Sequence, residues 1–65
     1  METKQYIVEA QDEGTRLDVY LTKELGQSRS YVQSLVKEGH VQVNGKIGKS
    51  NLKLSPSSEI LVTIP

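Results

Sequence analysis

The 65-residue sequence has no cysteine, tryptophan or phenylalanine, and only one histidine, one methionine and two prolines. Without cysteine there is no disulfide framework, no thiolate metal site and no cysteine nucleophile. His40 alone cannot assemble a metal cluster, so no metal and no cofactor are expected. The core has to be aliphatic, helped by up to three tyrosines. Apolar runs last only a few residues, too short to span a membrane, and the N-terminus lacks the basic and apolar segments of a signal peptide. A soluble, cytoplasmic protein is the default expectation. There is no internal repeat and no low-complexity tract. At this length residues 1–65 make one small domain, near the lower limit for an independent core, and nothing in the sequence asks for more than a monomer.

Neither sign of charge is in excess, since eight basic residues balance eight acidic ones. The distribution is uneven. Residues 1–26 carry six acids against three bases, Lys4, Arg16 and Lys23. Residues 27–65 carry five bases, Arg29, Lys37, Lys46, Lys49 and Lys53, against Glu38 and Glu59. Such asymmetry suggests a basic face on a neutral domain.

The densest stretch of structural signals runs from Ser28 to Lys46. Ser28 is a good helix N-cap, because its hydroxyl can accept a bond from a free first-turn amide. Tyr31, Val32, Leu35 and Val36 recur at helical spacing and predict an apolar stripe on a helix over 28–38. Gly39 sits where a left-handed residue ends a helix. Val41 and Val43 alternate with Gln42 as in a half-buried strand, and Asn44-Gly45 is the dipeptide of a type I′ hairpin turn. On the polar side of the helix Arg29, Gln33 and Lys37 form one row, with Ser30 and Ser34 beside it. Arg29 in the first turn and Glu38 in the last both oppose the helix dipole. Local rules broken in this way can mark a functional surface, and a guanidinium beside free helix amides suits an anion such as phosphate.

Around this stretch, Tyr6 to Ala10 reads as a short strand after a frayed Met1 to Gln5. Thr15 opens a helix over 15–25, and Thr15-Arg16-Leu17-Asp18 matches a capping box in which Asp18 reaches back to the Thr15 amide. Leu17, Tyr20, Leu21 and Leu25 form the buried stripe, and Gly26 ends the helix. Residues 40–64 hold the hairpin and further strands: Lys46 and Ile47 return from the turn, Leu52 and Leu54 alternate with Lys53, Ser55 to Ser58 turns, and Glu59 to Ile64 closes the chain with Ile60, Val62 and Ile64 on one face. The expected class is α+β: two short helices meeting at a helix–turn–helix-like corner, packed on one face of a small, mainly antiparallel sheet.

Arg16-Leu17-Asp18, Ser28-Arg29-Ser30, Leu35 and the run from Gly39-His40-Val41 to Val43-Asn44-Gly45-Lys46 resemble, in this order and spacing, the S-four-like (alpha-L) RNA-binding domain. The resemblance covers the chain from Thr15 onward. The additional N-terminal strand and acidic connector are similar to the N-terminal domain of ribosomal large-subunit pseudouridine synthases of the RluA/RluD type. This implies a module that docks structured RNA, large-subunit ribosomal RNA in particular, for a tethered catalytic domain beyond Val62 to Pro65. It also implies RNA-facing roles for Arg29, Arg16, Ser28 and Ser30, with Lys37, His40 and Lys46 along the groove. Gln33 and Lys37 follow from the helix row, and Lys49 and Lys53 from charge alone. Arg16 could equally pair with a neighbouring acid, and Lys46 could be an ordinary turn lysine. His40 could bond or stack on a nucleotide, or be partly packed at the helix end. Tyr31 belongs to the apolar stripe and is expected in the core rather than as a base-stacking platform.

Arg16-Leu17-Asp18 also echoes part of the catalytic His-Arg-Leu-Asp motif of these synthases. Thr15 stands before it and Val19-Tyr20-Leu21-Thr22 after it, so neither flank matches and no catalytic residue is expected. Other readings are a stand-alone ribosome-associated RNA-binding protein of the same fold, a helix–turn–helix that reads duplex DNA, and a protein-interaction module.

Overall fold

The first strand starts earlier than its alternation suggests. The computed structural model describes residues 2–65, and in it β1 runs over Glu2–Ile7 beside the C-terminal strand, Glu59–Ile64. The two pair antiparallel over their whole length, from Glu2 opposite Ile64 to Ile7 opposite Glu59. A frayed end over residues 2–5 is therefore replaced by strand, because partner backbone is available at every position; the expectation for Met1 lies outside the described residues. Expected strand residues Val8 to Ala10 leave the ladder instead. Val8 remains in the core at 2% exposure, held by bonds from its amide to Ser58 and to its carbonyl from Ser57. Ala10 opens a single 3₁₀ turn, Ala10–Asp12, and is exposed.

Helix α1 spans Leu17–Leu25. It begins two residues later than expected, with Arg16 as its N-cap and no side-chain cap bond. The anticipated capping box does not form. Thr15 donates its amide to the Asp12 carbonyl, and its carbonyl accepts from Leu54. The free first-turn amides of Leu17 and Asp18 are satisfied by carbonyls of Leu52 and Ser50, at 2.8 and 3.2 Å. A distant loop thus does what a local cap would have done. The same pairing accounts for Leu52-Lys53-Leu54. This segment lies against the extended lead-in to α1, with a bridge between Lys53 and Arg16, and only Leu54 of the two leucines is buried. At the other end Gly26 adopts φ 67° and donates to the Thr22 carbonyl.

Helix α2 spans Arg29–Lys37, and the Ser28 hydroxyl caps it by accepting the Tyr31 amide at 3.2 Å. Val32, Leu35 and Val36 are buried, whereas Tyr31 is 37% exposed and not a core residue. The stripe is narrower than expected, because α2 rests on α1 and the sheet through one seam and Tyr31 lies at its margin. Gly39, at φ +80°, reverses the chain, and β2 (Val41–Val43) and β3 (Lys46–Ile47) form the hairpin. Asn44 and Gly45 both have positive φ, 53° and 81°, as a type I′ turn requires. Asn44 also exchanges bonds with the backbone of Glu59, donating its amide at 2.8 Å and accepting on Oδ1 at 2.9 Å.

With the C-terminal strand as β4, the sheet order is β1-β4-β2-β3, antiparallel throughout. Leu17 and Leu21 of α1, Val32 of α2, Val41 of β2, and Ile60 and Val62 of β4 are all inaccessible to solvent. Tyr20 joins this aliphatic core and meets Tyr6 edge to face at 6.3 Å. The result is the expected α+β arrangement of two helices on a small antiparallel sheet.

Candidate nucleic-acid interface

Asp18 is the one charged side chain among the described residues that is wholly removed from solvent. A carboxylate in that position is tolerable only with a full set of partners. Its Oδ1 accepts the Val19 amide at 2.8 Å. Its Oδ2 accepts Arg16 Nη2 at 3.1 Å, Gln33 Nε2 at 3.2 Å and Arg29 Nη2 at 3.4 Å. Burial alone would raise its pKa. The Gln33 amide, the Val19 amide and the charges of Arg16 and Arg29 outweigh that and hold the pKa below the ordinary carboxylate value.

The two arginines do not share the burial of their partner. Their side chains are 43% and 56% exposed. Each commits one nitrogen to Asp18, leaving further donors of the planar guanidinium for a ligand. The charge of Arg29 at the positive end of α2 is offset by a carboxylate from α1 that lies beneath it. The contact spans 11 residues of sequence and the Gln33 contact 15, so the cluster forms only when the helices pack.

Gln33 links this cluster to a groove of about 530 Å³ lined also by Val36, Lys37, Ile47, Gly48, Lys49 and Ser50. The floor is closely packed at Gly48, which is buried. A Cβ there would lie 2.7 Å from Leu17 Cδ2 and 3.2 Å from Val43 Cγ2. On the far side of Ile47 a second groove of about 360 Å³ is lined by Asn44, Lys46, Lys53, Leu54, Ser55 and Ser58 among others.

The candidate residues are thus sorted into groups. Arg16, Arg29 and Gln33 converge on Asp18, and Gln33 and Lys37 share the first groove. Lys46 belongs to the second groove, not to the one beside α2. The Ser28 hydroxyl is engaged in capping, while Ser30 is exposed in the first turn of α2. His40 is half-buried, and its backbone joins α2 to β4 by donating to Leu35 and accepting from Thr63, both at 2.9 Å; it lines neither groove. The residues that sequence reasoning undervalued are Asp18, assigned to a cap, and Lys49, Ser50 and Ile47. The available signal for Asp18 was a carboxylate set between core positions Leu17 and Leu21.

Residues 15–60 match the S4 domain. The chain is 43% identical over 51 residues to the uncharacterized RNA pseudouridine synthase YlyB of Bacillus subtilis (strain 168), an overlap covering 77% of this chain and 17% of that protein. It is 38% identical over 66 aligned residues to an uncharacterized RNA pseudouridine synthase of Aquifex aeolicus (strain VF5), covering 98% of this chain and 20% of the relative. The chain spans a fifth or less of the length of these two relatives.

Proposed function

The chain belongs to the S4 domain family, a family of RNA-binding modules, and from that premise we propose that it docks structured large-subunit ribosomal RNA for the tethered catalytic domain of a cytoplasmic pseudouridine synthase. The observation that carries this reading is the convergence of Arg16, Arg29 and Gln33 on the buried Asp18, next to a groove bearing Lys37 and Lys49. Asp18 holds the two guanidiniums at one place on the surface before any ligand arrives. Ordering costs are then lower at binding, and the free donors suit phosphate oxygens. The chain supplies affinity and orientation; chemistry belongs to the separate domain.

The DNA-reading alternative is weakened by the same contacts. In a helix–turn–helix the second helix presents side chains to base edges, but Arg29 and Gln33 of α2 are drawn back onto Asp18 of α1. A stand-alone ribosome-associated RNA-binding protein of this fold would use the same surface.

The test is an NMR titration of the labelled chain with a structured ribosomal RNA fragment and with a DNA duplex of equal length. Shifts at Arg16, Ser28 to Lys37, Lys46 and Lys49 are expected with the RNA. About four phosphate contacts give a log–log salt slope of about −3, with a dissociation constant of roughly 10⁻⁴–10⁻⁶ M at physiological salt. Absence of shifts at low salt, or a preference for the DNA, overturns the docking role.

A further inference from the structure

Ile47 is 60% exposed, the most exposed of the large apolar side chains among the described residues. It stands on the short strand β3 and lines both grooves. On one side lie Lys37 and Lys49, and on the other Lys46 and Lys53. None of these four lysines has an ion-pair partner among the described residues, in contrast to Lys23, which pairs with Asp12 at 3.1 Å. An aliphatic ridge with cations on both flanks is poorly suited to the uninterrupted phosphate rail of a paired helix. It suits a strand whose backbone passes on both sides of a base that has left its stack.

We propose that Ile47 is the contact for one unpaired nucleobase, bulged or in a loop, while Lys37 and Lys49 take the phosphates on one flank and Lys46 and Lys53 those on the other. This rests on the RNA-docking reading and adds the class of RNA feature that is selected. Apolar side chains commonly occupy the place of an unstacked base step, and sequence-specific RNA recognition favours bases that are splayed out. The ridge is held in position from below. Gly48 is packed against Leu17 and Val43 and donates its amide to the Val41 carbonyl at 3.1 Å. The type I′ turn and the Asn44 bonds to Glu59 fix the other end of β3. A base arriving at Ile47 therefore meets a preformed surface.

The experiment measures binding of the full chain to an RNA hairpin carrying one bulged nucleotide and to the same hairpin fully paired. The wild-type chain is expected to prefer the bulged hairpin about fivefold, the scale set by burying roughly half an isoleucine side chain. Ile47→Ala should remove most of that preference while leaving affinity for the paired hairpin within about twofold, since phosphate contacts dominate it. Lys49→Gln and Lys53→Gln, on opposite flanks, should each reduce the salt slope for the bulged hairpin by about 0.7. Equal wild-type affinity for the two hairpins, or a preference that survives Ile47→Ala, overturns the ridge assignment and leaves RNA docking standing. Binding to neither hairpin at low salt overturns both.

Discussion

Replacing Asp18 by asparagine tests whether the two helices are joined by charge or by shape alone. The variant keeps the volume and removes the negative charge. In wild type Oδ1 accepts from Val19 and Oδ2 accepts three bonds. An asparagine can present its oxygen to only one of these sets. The other then faces an NH₂ group, donor against donor. Breaking a fully buried ion pair costs about 3–5 kcal/mol. Here both arginine heads are about half exposed, so water re-solvates them and most of that figure is discounted. The Gln33 bond and the lost order remain, which gives about 1–2 kcal/mol. For a domain of this size that is a fall in Tm of roughly 5–12 °C at pH 7. The effect has a pH signature. Because the folded pKa of Asp18 lies below its ordinary value, its contribution is complete above about pH 4 and is lost as pH falls through the lower folded value. Urea unfolding of both proteins across that range should show the gap closing towards acid. A Tm unchanged at pH 7, or a gap that persists undiminished at about pH 2, refutes the argument.

Three further outcomes are expected. Gly48→Ala forces a Cβ against Leu17 and Val43, and the overpacking should cost about 1–3 kcal/mol in denaturant unfolding; a neutral result would mean the loop lifts freely. Ser28→Ala removes the cap on Tyr31 and should cost about 1 kcal/mol, read as a lower Tm, with no change in the acid limb set by Asp18. Burial foremost, then the charges of Glu24, Asp12 and Glu9 and the neighbouring Tyr6, raises the pKa of Tyr20. The stability tied to its neutral phenol is complete below about pH 10 and is lost as pH rises through the raised folded value. Tyr20→Phe should therefore flatten the alkaline decline in melting temperature, and an unaltered decline would assign it to other groups.

The sequence by itself determined the local elements. Ser28, Gly39 and Asn44-Gly45 act through bonds and dihedrals that neighbouring residues set, so the second helix and the hairpin were legible, as was the apolar face of β4. The α+β class followed from their order. Only the tertiary structure decided what depends on distant partners. Residues 2–5 are strand because β4 lies beside them. Leu52 to Leu54 read as an alternating segment, but the backbone it pairs with is the lead-in to α1. Asp18 shows the limit most clearly. A carboxylate in a first helical turn is locally explained by a cap, and its neighbours in sequence carry no sign that Arg29 and Gln33 will arrive from another helix. Likewise the charges of Lys37, Lys46, Lys49 and Lys53 were countable from the start. Their division into two grooves by Ile47 was not, because a groove is a relation between surfaces that exists only once the hairpin, the loop after it and α2 have packed together.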